Sequence, residues 1–257
     1  MSDSVLLRHL PSVISDDATR ETKKGRDVMG KNDSWQDQVD ILVEKAMGHM
    51  DAQRWEEALL VLMDARQEYP QAVRITIELS NVFVKMYDYS RALRTALDGL
   101  ALPIVKDRQS WHTALLINGA IAARELGDSR NAMDFLVRAL DADWCNPLIH
   151  LNIARTCEMT GKFQQAIAHY SHALAHAHRD AYEQVQIIAW CKRQLAGLRR
   201  HFPSDDVLPL LVVAAYDCQN EAPSRAYSST LQLREHGKTA TERKAGSVLH
   251  EQIWRKR

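Results

Sequence analysis

The chain has 257 residues, of which 46% are hydrophobic and 26% charged, a balance typical of a soluble globular protein. Lys+Arg and Asp+Glu both number 33, so there is no positive excess of the kind that suits nucleic acid or an anionic membrane. No apolar run reaches the roughly 18–20 residues of a membrane span, and the first residues lack the basic start of a signal peptide. We therefore expect a cytoplasmic protein.

The first stretch, residues 1–33, is polar and mixes both charge signs, so we expect a disordered tail. Order is predicted to begin at Ser34, whose hydroxyl and the acid three residues later, Asp37, resemble a helix-capping box. From here to residue 178 the sequence repeats itself.

An alanine marks the repeat: Ala58, Ala92, Ala132 and Ala166 are spaced by 34, 40 and 34 residues. The units then lie near 39–72, 73–106, 113–146 and 147–178, with six extra residues between the second and third. Two further columns hold only small residues, which predicts close approach of paired helices. Those columns contain Ala46, Ser80, Ala120 and Ala154, and Ala65, Gly99, Ala139 and Ala173.

Turn residues fall between the two helices of each unit. Asp88 and Asp128 stand where the caps of second helices belong, and Gly127 and Gly161 stand where first helices should end. Position 32 of the first unit is Pro70, and the same position of the third unit is Trp144. The pattern predicts helical hairpins stacked in order along the chain.

A 34-residue period with small residues in three columns resembles the tetratricopeptide repeat (TPR) family. The resemblance implies an all-α fold, a right-handed superhelix (α-solenoid) of about four TPR hairpins. It also implies a concave groove lined by the first helices, and a groove of amides, aliphatics and cations suits an extended peptide. The polar side chains expected to bind that peptide are Asn81, Lys85, Asn118, Arg124, Asn152 and Arg155.

Beyond the repeats, residues 179–218 read as capping helices that cover the last open face of the array. Residues 219–257 read as a polar linker followed by a short C-terminal helix.

Catalytic motifs are missing from the sequence. There is no phosphate-binding loop and no Gly-x-Ser-x-Gly elbow, and His250-Glu251 lacks the second histidine of a zinc protease. We expect no enzyme activity, no cofactor and no metal. Three histidines, His169, His172 and His176, share a helix face with His178 close by, and we interpret them as a solvent-facing outer surface.

The leading hypothesis is a scaffold that binds a protein or peptide, and neither nucleic acid nor membrane. A second hypothesis is the substrate-recruiting TPR arm, detached or truncated, of a soluble protein O-glycosyltransferase, because the chain also resembles the TPR arm of bacterial O-linked N-acetylglucosamine transferases. In its support, Asn118 and Asn152 match a groove position of that family, and AWCKRQLAGL precedes VLPLLVVAAY as in its bacterial members. A third, weaker hypothesis is a TPR secretion chaperone. The sequence leaves the partner and the oligomeric state open.

Overall fold

The computed structural model describes residues 34–103, 109–177 and 182–201, and these ranges contain α-helices and no strand. None of these helices is both long enough and apolar enough to cross a membrane. Several predictions lie outside the described residues: the disordered tail at 1–33, His178, the second part of the cap, the linker and the C-terminal helix. The described helices divide between two compact units, 34–142 and 143–201.

The first unit contains six helices, and each packs against the next along the chain. The first helices of the hairpins, α1, α3 and α5, also pack side by side. The helices are α1 Ser34–Asp51, α2 Trp55–Glu68, α3 Val73–Lys85, α4 Tyr89–Leu100, α5 Gln109–Glu125 and α6 Ser129–Ala142.

The second unit contains α7 Pro147–Met159, α8 Phe163–His176 and α9 Tyr182–His201. Helix α7 begins at a proline that follows Asn146, whose side-chain oxygen accepts a hydrogen bond from the Leu148 amide at 3.0 Å. Helix α8 packs against α7 and α9, and α9 also contacts α7. Helix α9 therefore covers the hairpin that precedes it.

The small residues of the repeat are buried where helices meet, as their spacing predicts. All four alanines of the marker column have no exposed surface. Packing is tight at Gly99, where an added Cβ would lie 2.8 Å from Leu115 Cδ2 and 2.9 Å from Thr76 Cγ2. Helices α3, α4 and α5 come together at this glycine because it carries no side chain.

The two predicted aspartate caps are confirmed. Asp88 precedes α4 and accepts a hydrogen bond from the Arg91 amide at 3.0 Å. Asp128 precedes α6 and accepts one from the Asn131 amide at 3.0 Å. Each carboxylate satisfies a backbone donor that the first turn of a helix leaves unpaired.

One turn position has a left-handed backbone in all four hairpins. Gly127 and Gly161 hold φ values of 87° and 73° there, which agrees with their predicted role in ending α5 and α7. The corresponding residues of the first two hairpins are Gln53 (φ 57°) and Tyr87 (φ 62°). These two side chains occupy a conformation that favours glycine.

Candidate functional site

Four polar residues lie along one face of α3, at spacings of four, three and four residues. They are Arg74, Glu78, Asn81 and Lys85, which we call the α3 stripe. Their exposed fractions are only 6%, 0%, 3% and 7%. Because isolated charges are costly to bury, such a stripe needs compensating contacts within the protein.

Two contacts within the first unit provide part of that compensation. The Arg74 guanidinium forms an ion pair with Asp40 of α1, and the Asn81 amide donates a hydrogen bond to Glu78 Oε2 at 3.3 Å. The Arg74 charge also favours the ionised form of Glu78. Arg74, Glu78 and Asn81 of the stripe thus form a polar network that reaches α1 through Asp40.

Burial still shifts the ionisation of the stripe strongly. Loss of hydration raises the pKa of Glu78 to about 7, although the hydrogen bond from Asn81 and the Arg74 charge act in the opposite direction. Loss of hydration also lowers the pKa of Lys85 to about 8. Groups whose pKa values are shifted this far are concentrated at functional sites in proteins, although structural ion pairs can also produce such shifts.

Asn118 and Arg124 lie on the neighbouring helix α5 and have no exposed surface. The Asn118 amide donates to Ser80 Oγ at 2.7 Å and to the Ile77 carbonyl at 3.4 Å, so this side chain joins α5 to α3. The Arg124 guanidinium donates to Glu125 Oε1 through Nε and Nη2 at 3.2 and 3.1 Å. Both side chains therefore contribute to the packing of the first unit.

Asn152 and Arg155 belong to the second unit. The buried Asn152 amide donates to the Leu148 carbonyl of its own helix at 2.9 Å. The half-buried Arg155 guanidinium lies over the ring of Trp190 on α9, with Cζ 5.6 Å from the ring centroid. Arg155 therefore takes part in attaching α9 to α7.

The six predicted residues are thus distributed between the two units. Asn81 and Lys85 share the α3 stripe, and Asn118 reaches α3 through Ser80. Glu78 was not among the expected site residues, although its position four residues after Arg74 and three before Asn81 was a signal for it. Peptide binding by the six residues stays a prediction.

The histidines of α8 do not form the solvent-facing surface that we expected. His169 and His172 are 1% and 2% exposed, and only His176 is half-buried. His172 stacks on His150 of α7 with ring centroids 4.9 Å apart, and Trp144 packs edge-on against both rings. Trp144, which replaces the usual proline, is thus part of what buries these rings, and the expectation was wrong.

Hydrogen bonds fix the protonation of this histidine cluster. His150 Nε2 lies 2.8 Å from the Trp144 carbonyl, which only accepts, so Nε2 carries the hydrogen. Nδ1 of a neutral His150 is then an acceptor, and His169 Nδ1, 3.0 Å away, donates to it. Burial lowers the pKa of His150 to about 3 and the pKa of His169 well below its usual range, so both rings are neutral.

The cluster does not have the arrangement of a metal site. The rings of His150 and His172 are inclined by only 14°, so their nitrogen lone pairs do not converge on one point. Over residues 34–103, 109–177 and 182–201, no group of three or more His, Cys, Asp or Glu side chains is placed to hold a metal ion.

No protein-family model and no curated protein matches this sequence. Solved structures do. The TPR protein TTC0263 of Thermus thermophilus matches with a TM-score of 0.50 and 20% identity, over 68% of this chain and 96% of that one. MamA matches with a TM-score of 0.45 and 13% identity, over 68% of this chain and 88% of that one. YrrB, described as a TPR protein with an unusual peptide-binding site, matches with a TM-score of 0.44 and 15% identity, over 71% of this chain and 97% of that one.

The similarity to TTC0263 shows the fold: the helical hairpins of this chain have the fold of tetratricopeptide repeats. The resemblance inferred from the three small-residue columns is therefore confirmed, as is the all-α fold class. The more distant resemblance to the arm of a glycosyltransferase stays a prediction.

Proposed function

We propose that this chain is a non-enzymatic TPR scaffold that binds an extended peptide of a partner protein along α1, α3 and α5, the first helices of the hairpins in its first unit. The α3 stripe is the observation that carries the proposal. Packing of a TPR hairpin relies on small and aliphatic residues, so it does not require a glutamate and a lysine on the same buried helix face. A ligand that contacts Glu78 and Lys85 would account for their presence on this buried face.

The stripe offers the chemistry that a peptide backbone needs. Lys85 is a donor for carbonyl or carboxylate oxygens, and Asn81 can both donate and accept. Glu78 is an acceptor for backbone N–H groups. A ligand carboxylate near Lys85 would also favour the charged ammonium, whose pKa burial now lowers to about 8. Because the stripe is enclosed, binding requires this face of α3 to open.

The test begins with a peptide library displayed on phage and selected on the full chain. Enriched peptides are labelled, and their dissociation constants are measured by fluorescence anisotropy with the wild type and with Lys85→Met. Loss of one charge-assisted hydrogen bond is expected to weaken binding by about tenfold.

The matched control is Lys45→Met, which removes an exposed lysine on α1. It should leave the affinity unchanged. Equal affinities for wild type and Lys85→Met, with both variants folded by circular dichroism, would overturn the proposal. Charge reversal of Arg124 is a poor probe, because an unpaired charge at this fully buried position would destabilise the fold itself.

A further inference from the structure

Helix α9 has two different faces. The face toward α7 and α8 is buried and contains Ile187, Trp190, Cys191, Leu195 and Leu198. The opposite face is exposed and carries four cations. We call it the α9 basic face, and it consists of Lys192, Arg193, Arg199 and Arg200.

The four cations form two pairs seven residues apart. Lys192 and Arg193 lie two turns before Arg199 and Arg200, so the pairs are separated by about 10 Å along the helix. The exposed Ala196 lies between them, and its short side chain lets a partner come close to the helix. The result is a flat surface with two positively charged ends.

Acidic side chains are missing from the part of α9 whose side chains the structure describes. Residues 185–201 contain no Asp or Glu. No ion pair to any of the four cations occurs among the residues that the structure describes. Since the whole chain has equal numbers of positive and negative residues, four clustered cations represent a local segregation of charge.

We propose that the α9 basic face is a second docking surface, which binds an acidic segment of a partner protein. This inference goes beyond the binding proposed for α3 and does not depend on it. Carboxylates spaced by two helical turns would meet both cation pairs, and three of the four cations are arginines, which can bind carboxylates with two hydrogen bonds.

Other anionic partners fit this face less well. An amphipathic helix binds a membrane by inserting its apolar side, and the apolar side of α9 is packed against α7 and α8. A nucleic-acid surface usually extends over a larger basic area, whereas this chain has no net positive charge.

The test uses the full chain and a fluorescein-labelled helical peptide of about 15 residues. The peptide carries two pairs of glutamates seven residues apart, and a second peptide carries glutamines at these positions. By fluorescence anisotropy, the glutamate peptide should bind at least about tenfold more tightly than the glutamine peptide. Its affinity should fall as NaCl rises from about 50 to about 200 mM.

The variant Arg193→Glu/Arg200→Glu should weaken binding of the glutamate peptide at least about tenfold. The control Lys45→Glu/Arg130→Glu makes the same change of net charge at exposed positions of α1 and α6 and should have little effect. Equal losses in the two double variants, or equal binding of the two peptides, would overturn the proposal. The proposal would also be overturned if the chain bound phosphatidylserine vesicles or duplex DNA more tightly than the glutamate peptide, and if Arg193→Glu/Arg200→Glu abolished that binding.

Discussion

At two of the turns in this chain, a single residue holds a backbone conformation that costs free energy. Gln53 and Tyr87 hold the left-handed backbone that glycine adopts in the third and fourth hairpins. A side chain at such a position costs roughly 1 kcal/mol, because its Cβ crowds the backbone carbonyl. The turns of the first two hairpins are therefore less stable than they would be with glycine at this position.

Gln53→Gly is expected to raise the free energy of unfolding by up to about 1 kcal/mol. Gln53 is exposed, so the change removes no buried contact. Urea unfolding followed by circular dichroism measures the effect. Gln53→Ala is the control and should bring no gain, because alanine keeps the Cβ. A stabilisation equal in both variants would refute the explanation from backbone strain.

At the scale of helices, the distance between elements is set by small residues. Gly99 lets α4 approach α3 and α5, and an added Cβ there would press on Leu115 and Thr76. Leu115 has no exposed surface, so its methyl groups would have to move against neighbouring atoms of the protein and not into solvent. Gly48 of α1 is the opposite case, since a Cβ there would meet no atom within 4 Å.

The two glycines should respond to alanine with opposite signs. Gly99→Ala is expected to lower the free energy of unfolding by about 1–2 kcal/mol, because overpacking exceeds the gain in helix propensity. Gly48→Ala should raise it by up to about 1 kcal/mol, since only the propensity changes. The urea midpoints of the two variants, compared with that of the wild type, measure the sign of each change. Stabilisation by Gly99→Ala would contradict the close packing of α3, α4 and α5.

The sequence predicts those features of the elements that depend on local sterics. Small columns, aspartate caps and turn glycines were identified because each follows from the geometry of one helix or one turn. The burial of His169 and His172 was not, because it depends on Trp144 and His150, which lie on other segments. Likewise, the bond from Asn118 to Ser80 spans 38 residues, and no local pattern indicates it.

At the scale of the whole molecule, His150 of the second unit and Glu78 of the first unit should make opposite contributions to stability as the pH falls. In the second unit, the folded pKa of His150 is lowered to about 3, so the unfolded chain takes up a proton first as the pH falls below about 6.5. The stability that neutral His150 contributes is therefore fully present above about pH 6.5 and is lost as the pH falls below that value. In the first unit, the folded pKa of Glu78 is raised to about 7, so the folded chain binds the proton first and gains stability between pH 7 and about 4.5.

Hydrogen exchange measured at pH 7.5 and 5.5, corrected for intrinsic rates, tests this prediction. Protection of α7 and α8 should decrease by up to about 1.4 kcal/mol for each pH unit and each titrating group, while α3 keeps or gains protection. His150→Gln should reduce the loss in α7 and α8, because glutamine can still donate to the Trp144 carbonyl. The exposed His201 provides the control variant, His201→Gln. Parallel losses in both units would contradict the prediction.

The central proposal is that a peptide lies along the first helices, and photo-crosslinking tests it most directly. A benzophenone amino acid is placed at Met47, on the face of α1 that also carries Asp40, the partner of Arg74. A second chain carries it at Leu60, which is 65% exposed on α2. With a peptide selected on the wild-type chain, we predict crosslinking from position 47 and little from position 60. Equal or stronger crosslinking from position 60 would contradict the proposal.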